Sequence, residues 1–163
     1  MNSRGFSLVE LVTIVGIIGI LLGISTLAFN SWQRKYNIEK QTKEMLADMN
    51  DLRLRAIHSK KVHRMEMQSM SYVFKSYSSE GEDLSSSTTG TTVFKQYLKY
   101  PIVKDDGTSV VGKTIDIDSR GFTNDLITLR INSTSDDAAF NCLIISIART
   151  NMGKMENGEC KPK

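Results

Sequence analysis

The sequence is poor in the residues that carry most enzymatic chemistry. Its 163 residues include two histidines, two cysteines, two prolines and one tryptophan. His58 and His63 are five residues apart with no cysteine beside them, a spacing that suits neither a zinc finger nor a catalytic zinc helix. There is no G-x-x-x-x-G-K-[ST] loop, no G-x-S-x-G, no H-E-x-x-H and no paired C-x-x-C. These absences predict a chain that is not an enzyme, with no catalytic residue, no metal ligand and no cofactor. Asp105-Asp106-Gly107 reads as a turn, because the spaced oxygen ligands of a calcium loop do not follow it. The net charge of +3 is too small to argue for a nucleic-acid partner on its own. Proline is missing before Pro101 and glycine is missing between Gly23 and Gly81, so nothing interrupts a very long helix early in the chain.

What is present is unevenly spread. From Phe6 to Phe29 run 24 residues whose only charged side chain is Glu10. At about 1.5 Å per residue this segment would be about 36 Å long as a helix, enough to cross a bilayer core of about 30 Å. A cleaved secretory signal would have a shorter apolar core and a small-residue cleavage site, whereas Ala28 is followed by the bulky Phe29. An ordinary single-pass anchor leaves Glu10 unexplained. A carboxylate at the centre of a membrane helix costs about 2.5–3.5 kcal/mol, less near the interface, so Glu10 calls for a cationic partner.

The string Arg4-Gly5-Phe6-Ser7-Leu8-Val9-Glu10-Leu11 resembles the prepilin peptidase motif of type IV pilins and type II secretion pseudopilins. A short basic leader ends in glycine, phenylalanine follows, and glutamate stands four residues later at the head of the apolar run. The resemblance implies cleavage between Gly5 and Phe6 on the cytoplasmic side and N-methylation of Phe6. It further implies that the new amine neutralises Glu10 during filament assembly, within one helix or from a neighbouring subunit. Implied partners are prepilin peptidase, other pilins or pseudopilins, an inner-membrane assembly platform and the lipid bilayer. Gly16, Gly19 and Gly23 thin one side of the helix, Gly19 and Gly23 as G-x-x-x-G, which permits close helix packing in lipid. Counting positive charge would keep the C-terminal side inside: only Arg4 and the initial amine precede the segment, whereas Arg34, Lys35, Lys40 and Lys43 follow it. The resemblance implies a single-pass inner-membrane protein with its C-terminal domain in the periplasm, incorporated into a pilus or pseudopilus.

Beyond Phe29 the composition turns polar, and Trp32, Tyr36, Met45, Met49, Leu52 and Ala56 suggest an amphipathic continuation packed on the domain that follows. Strands are predicted at 62–67, 72–77, 93–100, 113–118, 126–132 and 142–149, with turns at 69–71, 105–107 and 136–137 and a polar loop over 78–92. A long helix and an antiparallel sheet make an α+β domain. The chain then divides into a leader (1–5), a transmembrane and polymerisation segment (6–29), an amphipathic helix (30–60) and a β-rich globular domain (61–163).

The stretch from Asp51 to Val62 resembles the close of the long helix in the GspH/FimT type of minor pilins and pseudopilins. Residues Ile115 to Phe122 resemble that type's strand and glycine turn, and Cys142 to Lys154 its closing hairpin. This implies the pilin-like fold, a long N-terminal helix whose first half spans the membrane and whose second half packs on the sheet. Some FimT-like pilins bind DNA through a basic C-terminal motif, which would fall here on Arg149 and Lys154; Glu156 and Glu159 dilute that charge, and no paired arginines occur. Arg53, Arg55, Lys60, Lys61 and Arg64 form a second basic group around the helix end. A DNA-uptake or adhesive pilin and a membrane-tethered enzyme are therefore the competing readings. Cys142 and Cys160 enclose 17 residues and could form a disulfide if exported, worth about 3 kcal/mol.

Overall fold

A computed structural model describes residues 7–77, 90–133 and 138–163, with the side chains of 24–28 also outside the description. Gly5, Phe6, most of the predicted 78–92 loop and the 136–137 turn lie outside the described residues. The chain divides into two compact units, Met1–Arg34 and Lys35–Lys163.

One helix, α1, runs from Leu8 to Ser59. Its uninterrupted length follows from the absence of proline before Pro101 and of any glycine between Gly23 and Gly81. It ends at Lys60, which takes the left-handed conformation (φ 55°) that usually falls to glycine just past a helix end. Among the described residues nine strands follow: β1 (His63–Met67), β2 (Ser71–Ser76), β3 (Thr91–Tyr97), β4 (Ile102–Lys104), β5 (Thr114–Ile117), β6 (Ile127–Ile131), β7 (Cys142–Ile145), β8 (Thr150–Glu156) and β9 (Glu159–Pro162). The fold is α+β. Its strands form two antiparallel sheets in place of the single expected sheet, one ordered β3-β2-β1-β5 and the other β4-β6-β7-β8-β9.

Within the second unit the helix lays Met45, Met49, Leu52 and Ala56 against both sheets. Met65, Met67, Tyr72, Phe74, Ile115 and Ile117 come from the first sheet, and Leu129, Leu143 and Ile145 from the second. The helical residues recur in steps of four and three, and the buried row reaches back through Thr42 to Ile38. Trp32 and Tyr36 do not belong to it; they are 60% and 54% exposed. Nine residues at about 100° each place Tyr36 half a turn away from Met45, so an apolar side chain there faces outward. Ile38 instead packs with Ile131 and Ala138.

Polar side chains of α1 hold the loops. The Gln41 side-chain amide donates to Tyr100 O at 2.8 Å, and its oxygen accepts from the backbone N–H groups of Lys99 and Tyr100 at 3.0 Å. This clamp explains why β3 stops at Tyr97, short of the expected residue 100, and why a separate short strand, β4, follows Pro101. Glu39 accepts from Ala139 N, and the Thr42 hydroxyl reaches Phe140 O at 3.3 Å.

The second sheet closes on a disulfide between Cys142 of β7 and Cys160 of β9, Cα atoms 6.0 Å apart. Gly153 of β8 pairs with Cys142 on one side and Pro162 on the other. A Cβ at Gly153 would stand 2.3 Å from Lys161 O and 2.8 Å from the Cys160 sulfur, so β9 can fold across β8 only because residue 153 lacks a side chain. The β8–β9 turn is Asn157-Gly158, both with positive φ, the geometry of a two-residue hairpin loop.

Candidate functional site

In the first unit the helix starts at Leu8, with Leu11 N–H donating to Ser7 O at 3.2 Å. Glu10 lies in its first turn, where a carboxylate is favoured by the amide dipoles of the helix start. The Thr13 hydroxyl donates to the carbonyls of Glu10 (2.8 Å) and Val9 (3.1 Å), so it bonds to backbone and leaves the Glu10 carboxylate alone. Leu8, Val9, Leu11, Val12, Ile14, Val15, Ile17, Ile18, Ile20, Leu21 and Leu22 are all exposed. Water does not tolerate so long an apolar surface; a monomer ordinarily shows patches of a few hundred Å².

A Cβ placed on Gly16, Gly19 or Gly23 would meet nothing within 4 Å. At about 100° per residue the three glycines fall within about 60° of one another around the helix, and Glu10 lies about 120–180° away from them. The carboxylate and the glycine side therefore occupy different faces of one rod. Unbroken described side chains run only from Leu8 to Gly23, and among the described residues no helix is long and apolar enough to cross a membrane.

In the second unit the basic residues around the helix end are not a common surface. Arg53 is 7% exposed; its guanidinium donates to Gly121 O at 2.7 Å, Ser146 O at 2.9 Å and Ile147 O at 3.0 Å. Burial lowers its pKa from the ordinary arginine value. Gly121 has φ 87° and no side chain, which brings its turn onto Ile57 and within reach of Arg53. Arg64 is also buried, bonded to both oxygens of Asp116 at 2.6 and 2.7 Å and stacked over the Tyr77 ring. Arg55 pairs with Asp51 one turn earlier at 2.6 Å. Lys60 and Lys61 remain on the surface.

Arg149 is exposed in the β7–β8 turn, while Lys154 is half-buried in β8, about 17 Å further along extended chain. Lys154 pairs in register with Lys161, which itself reaches Glu156 at 3.5 Å. The two residues implied for DNA binding are not brought together.

Open grooves indent the second unit. One, of ≈ 860 Å³, is lined by Leu126, Ile147, Asp105 and Arg149 among others. Another, of ≈ 800 Å³, gathers Asp116, Asp118 and Asp125. Asp116 is held by Arg64, and Asp125 accepts from Asp116 N at 2.7 Å. For Asp118 burial works to raise the pKa, but hydrogen bonds from Phe122 N and Arg120 prevail and hold it below the ordinary value. His63 is buried, its pKa lowered mainly by desolvation, and its Nδ1 lies 3.2 Å from Lys61 O. Among the described residues no group of three or more His, Cys, Asp or Glu is arranged to hold a metal ion.

No family model, curated protein or solved structure matches this chain. Among the described residues the longest exposed apolar stretch is the part of α1 that bears Glu10. The polar anchors Gln41, Thr42 and Arg53 escaped sequence reading because their partners lie 58 to 98 residues away.

Proposed function

We propose that this chain is a structural subunit of a type IV pilin-like filament, a minor pilin or pseudopilin of the GspH/FimT type in a pilus or a type II secretion pseudopilus. The observation that carries the reading is the exposed apolar face of α1 from Leu8 to Leu22 with a single carboxylate, Glu10, in its first turn. Such a rod needs lipid before assembly and other rods after it. Cleavage after Gly5 would leave a cationic amine on Phe6. One subunit's amine then answers a neighbour's Glu10, at a site where an unpaired carboxylate costs several kcal/mol. With Gly16, Gly19 and Gly23 on a different face, each helix offers one side for charge pairing and another for close approach, as an open head-to-tail assembly requires.

The second unit adds support on orientation. A Cys142–Cys160 disulfide belongs to an oxidising compartment, which favours a periplasmic second unit and weighs against the charge count that would keep it inside. The long helix packed on antiparallel sheets suits a pilin-like fold, with the second unit as its globular head. The dispersal of the basic residues, and the burial of two of them, gives the DNA-binding alternative no focus.

The test is Glu10→Ala in cells that carry the assembly machinery. The variant is expected to be cleaved and membrane-inserted like the parent but scarce in sheared filament or pseudopilus fractions. Normal incorporation would remove the pairing argument.

A further inference from the structure

Trp32, which leaves the expected core row, and its neighbour Phe29 point to a separate contact. Phe29 and Trp32 stand near the C-terminal end of the first unit, their rings 6.2 Å apart. Both are well exposed, and three residues at about 100° each put them within about 60° on the same side of the helix. Arg34, also exposed, ends the unit. In sequence Lys35 and Tyr36 follow at once.

We infer that Phe29, Trp32 and Arg34 form a collar that seats the helix in the headgroup layer of a phospholipid bilayer, with the rings at the glycerol level and the guanidinium on lipid phosphate. The inference rests on the membrane-anchor part of the proposed function and adds to it the depth at which the helix sits. Three arguments select lipid over protein. The collar is continuous with the apolar stretch: from Leu8 to Phe29 the helix covers about 33 Å, so a crossing of about 30 Å ends close to the Phe29–Trp32 pair. Indole has an apolar body and one N–H donor, and it concentrates at membrane–water interfaces for that reason. The charge is complementary, since a guanidinium binds phosphate oxygens in a forked geometry.

Trp32 is the chain's single tryptophan, so the site reports on itself. The full chain would be reconstituted in vesicles of phosphatidylethanolamine and phosphatidylglycerol. Bromine would be placed on the acyl chains either near the glycerol or near the terminal methyl. The expected result is Trp32 emission blue-shifted from that of the denatured chain and quenched more strongly by the shallow bromines than by the deep ones. Arg34→Glu should move the emission to the red and erase the shallow preference while leaving the chain resistant to alkaline carbonate extraction. A chain that resists carbonate but whose Trp32 is unquenched, or is quenched most by the deep bromines, would overturn the collar and leave the anchor standing. Blue-shifted emission insensitive to bromine would likewise overturn it, by placing Trp32 against protein. A chain extracted by carbonate would overturn the anchor itself, and the collar with it.

Discussion

Replacing Gly153 with alanine should destabilise the second unit without touching any charged or catalytic group. The new methyl carbon would sit 2.3 Å from Lys161 O and 2.8 Å from the Cys160 sulfur. Carbon and oxygen cannot approach so closely, and the nearer obstacle is backbone, which does not swing aside as a side-chain tip would. Overpacking of this kind costs about 1–3 kcal/mol, which for a unit of this size lowers the melting temperature by about 3–15 °C. Circular dichroism melts of the full chain in detergent, disulfide intact, would measure it. The bond between Cys142 and Cys160 adds to the β8–β9 pairing by tying β9 to β7 across β8, so the penalty should couple to it. A Cys142→Ser/Cys160→Ser variant should itself lose about 3 kcal/mol, but in that background β9 can lift away, and Gly153→Ala should cost clearly less than it does alone. A melting temperature unchanged by Gly153→Ala, or a fully additive cycle, would refute the account of how the sheet closes.

Arg53→Ala should cost about 2–4 kcal/mol in a denaturant melt, because it strips hydrogen bonds from the carbonyls of Gly121, Ser146 and Ile147 together; a loss below about 0.5 kcal/mol would mean that water replaces them. Gln41→Ala should cost about 1–3 kcal/mol by leaving Tyr100 O and two backbone N–H groups unbonded, with faster amide exchange at Lys99 and Tyr100 as the local readout. For His63 the folded pKa lies below the ordinary 6.5, so the unfolded chain binds the proton more readily. Its contribution to stability is therefore complete above about pH 6.5 and lost as pH falls through the folded pKa, and His63→Gln should flatten that part of a stability-versus-pH curve.

The long helix was legible because its causes are local: an apolar run without proline, then a row at helical spacing. Met45, Met49, Leu52 and Ala56 fall where that spacing puts them. Extending the row to Trp32 and Tyr36 counted apolar residues without following the phase around the helix, and the structure turns both outward. Strands with clear alternation or β-branched runs, such as β1, β5 and β6, were readable within a residue or two. β8 was absent from the strands read residue by residue, since Thr150–Glu156 is mostly polar and carries a glycine at its centre, although the hairpin expected over 142–154 coincides with the β7–β8 pair. Yet Asn157-Gly158 is a strong hairpin signal and could have revealed β9. The predicted strand over 142–149 stops at Ile145, where Ser146 N–H bonds to Arg149 O and the chain turns.

The burial of Arg53 and Arg64 was beyond local reading, because residue type suggested solvated charge while the carbonyls and the carboxylate that hold them come from distant strands and turns. The partition into two sheets was hidden for a related reason. It depends on β1 choosing β2 and β5 as neighbours, a tertiary choice that no single segment encodes. The candidate site is the opposite case. Glu10 is conspicuous in sequence as the lone charge in an apolar run, and the helix geometry adds that it faces away from the glycines.

Mass spectrometry of the native protein, taken from cells that assemble it, tests the central claim most directly. The chain is expected to begin at Phe6, with the Met1 to Gly5 leader gone and one methyl group on the terminal nitrogen. A filament-borne chain still carrying Met1 to Gly5 would leave Glu10 without its cation and contradict the account.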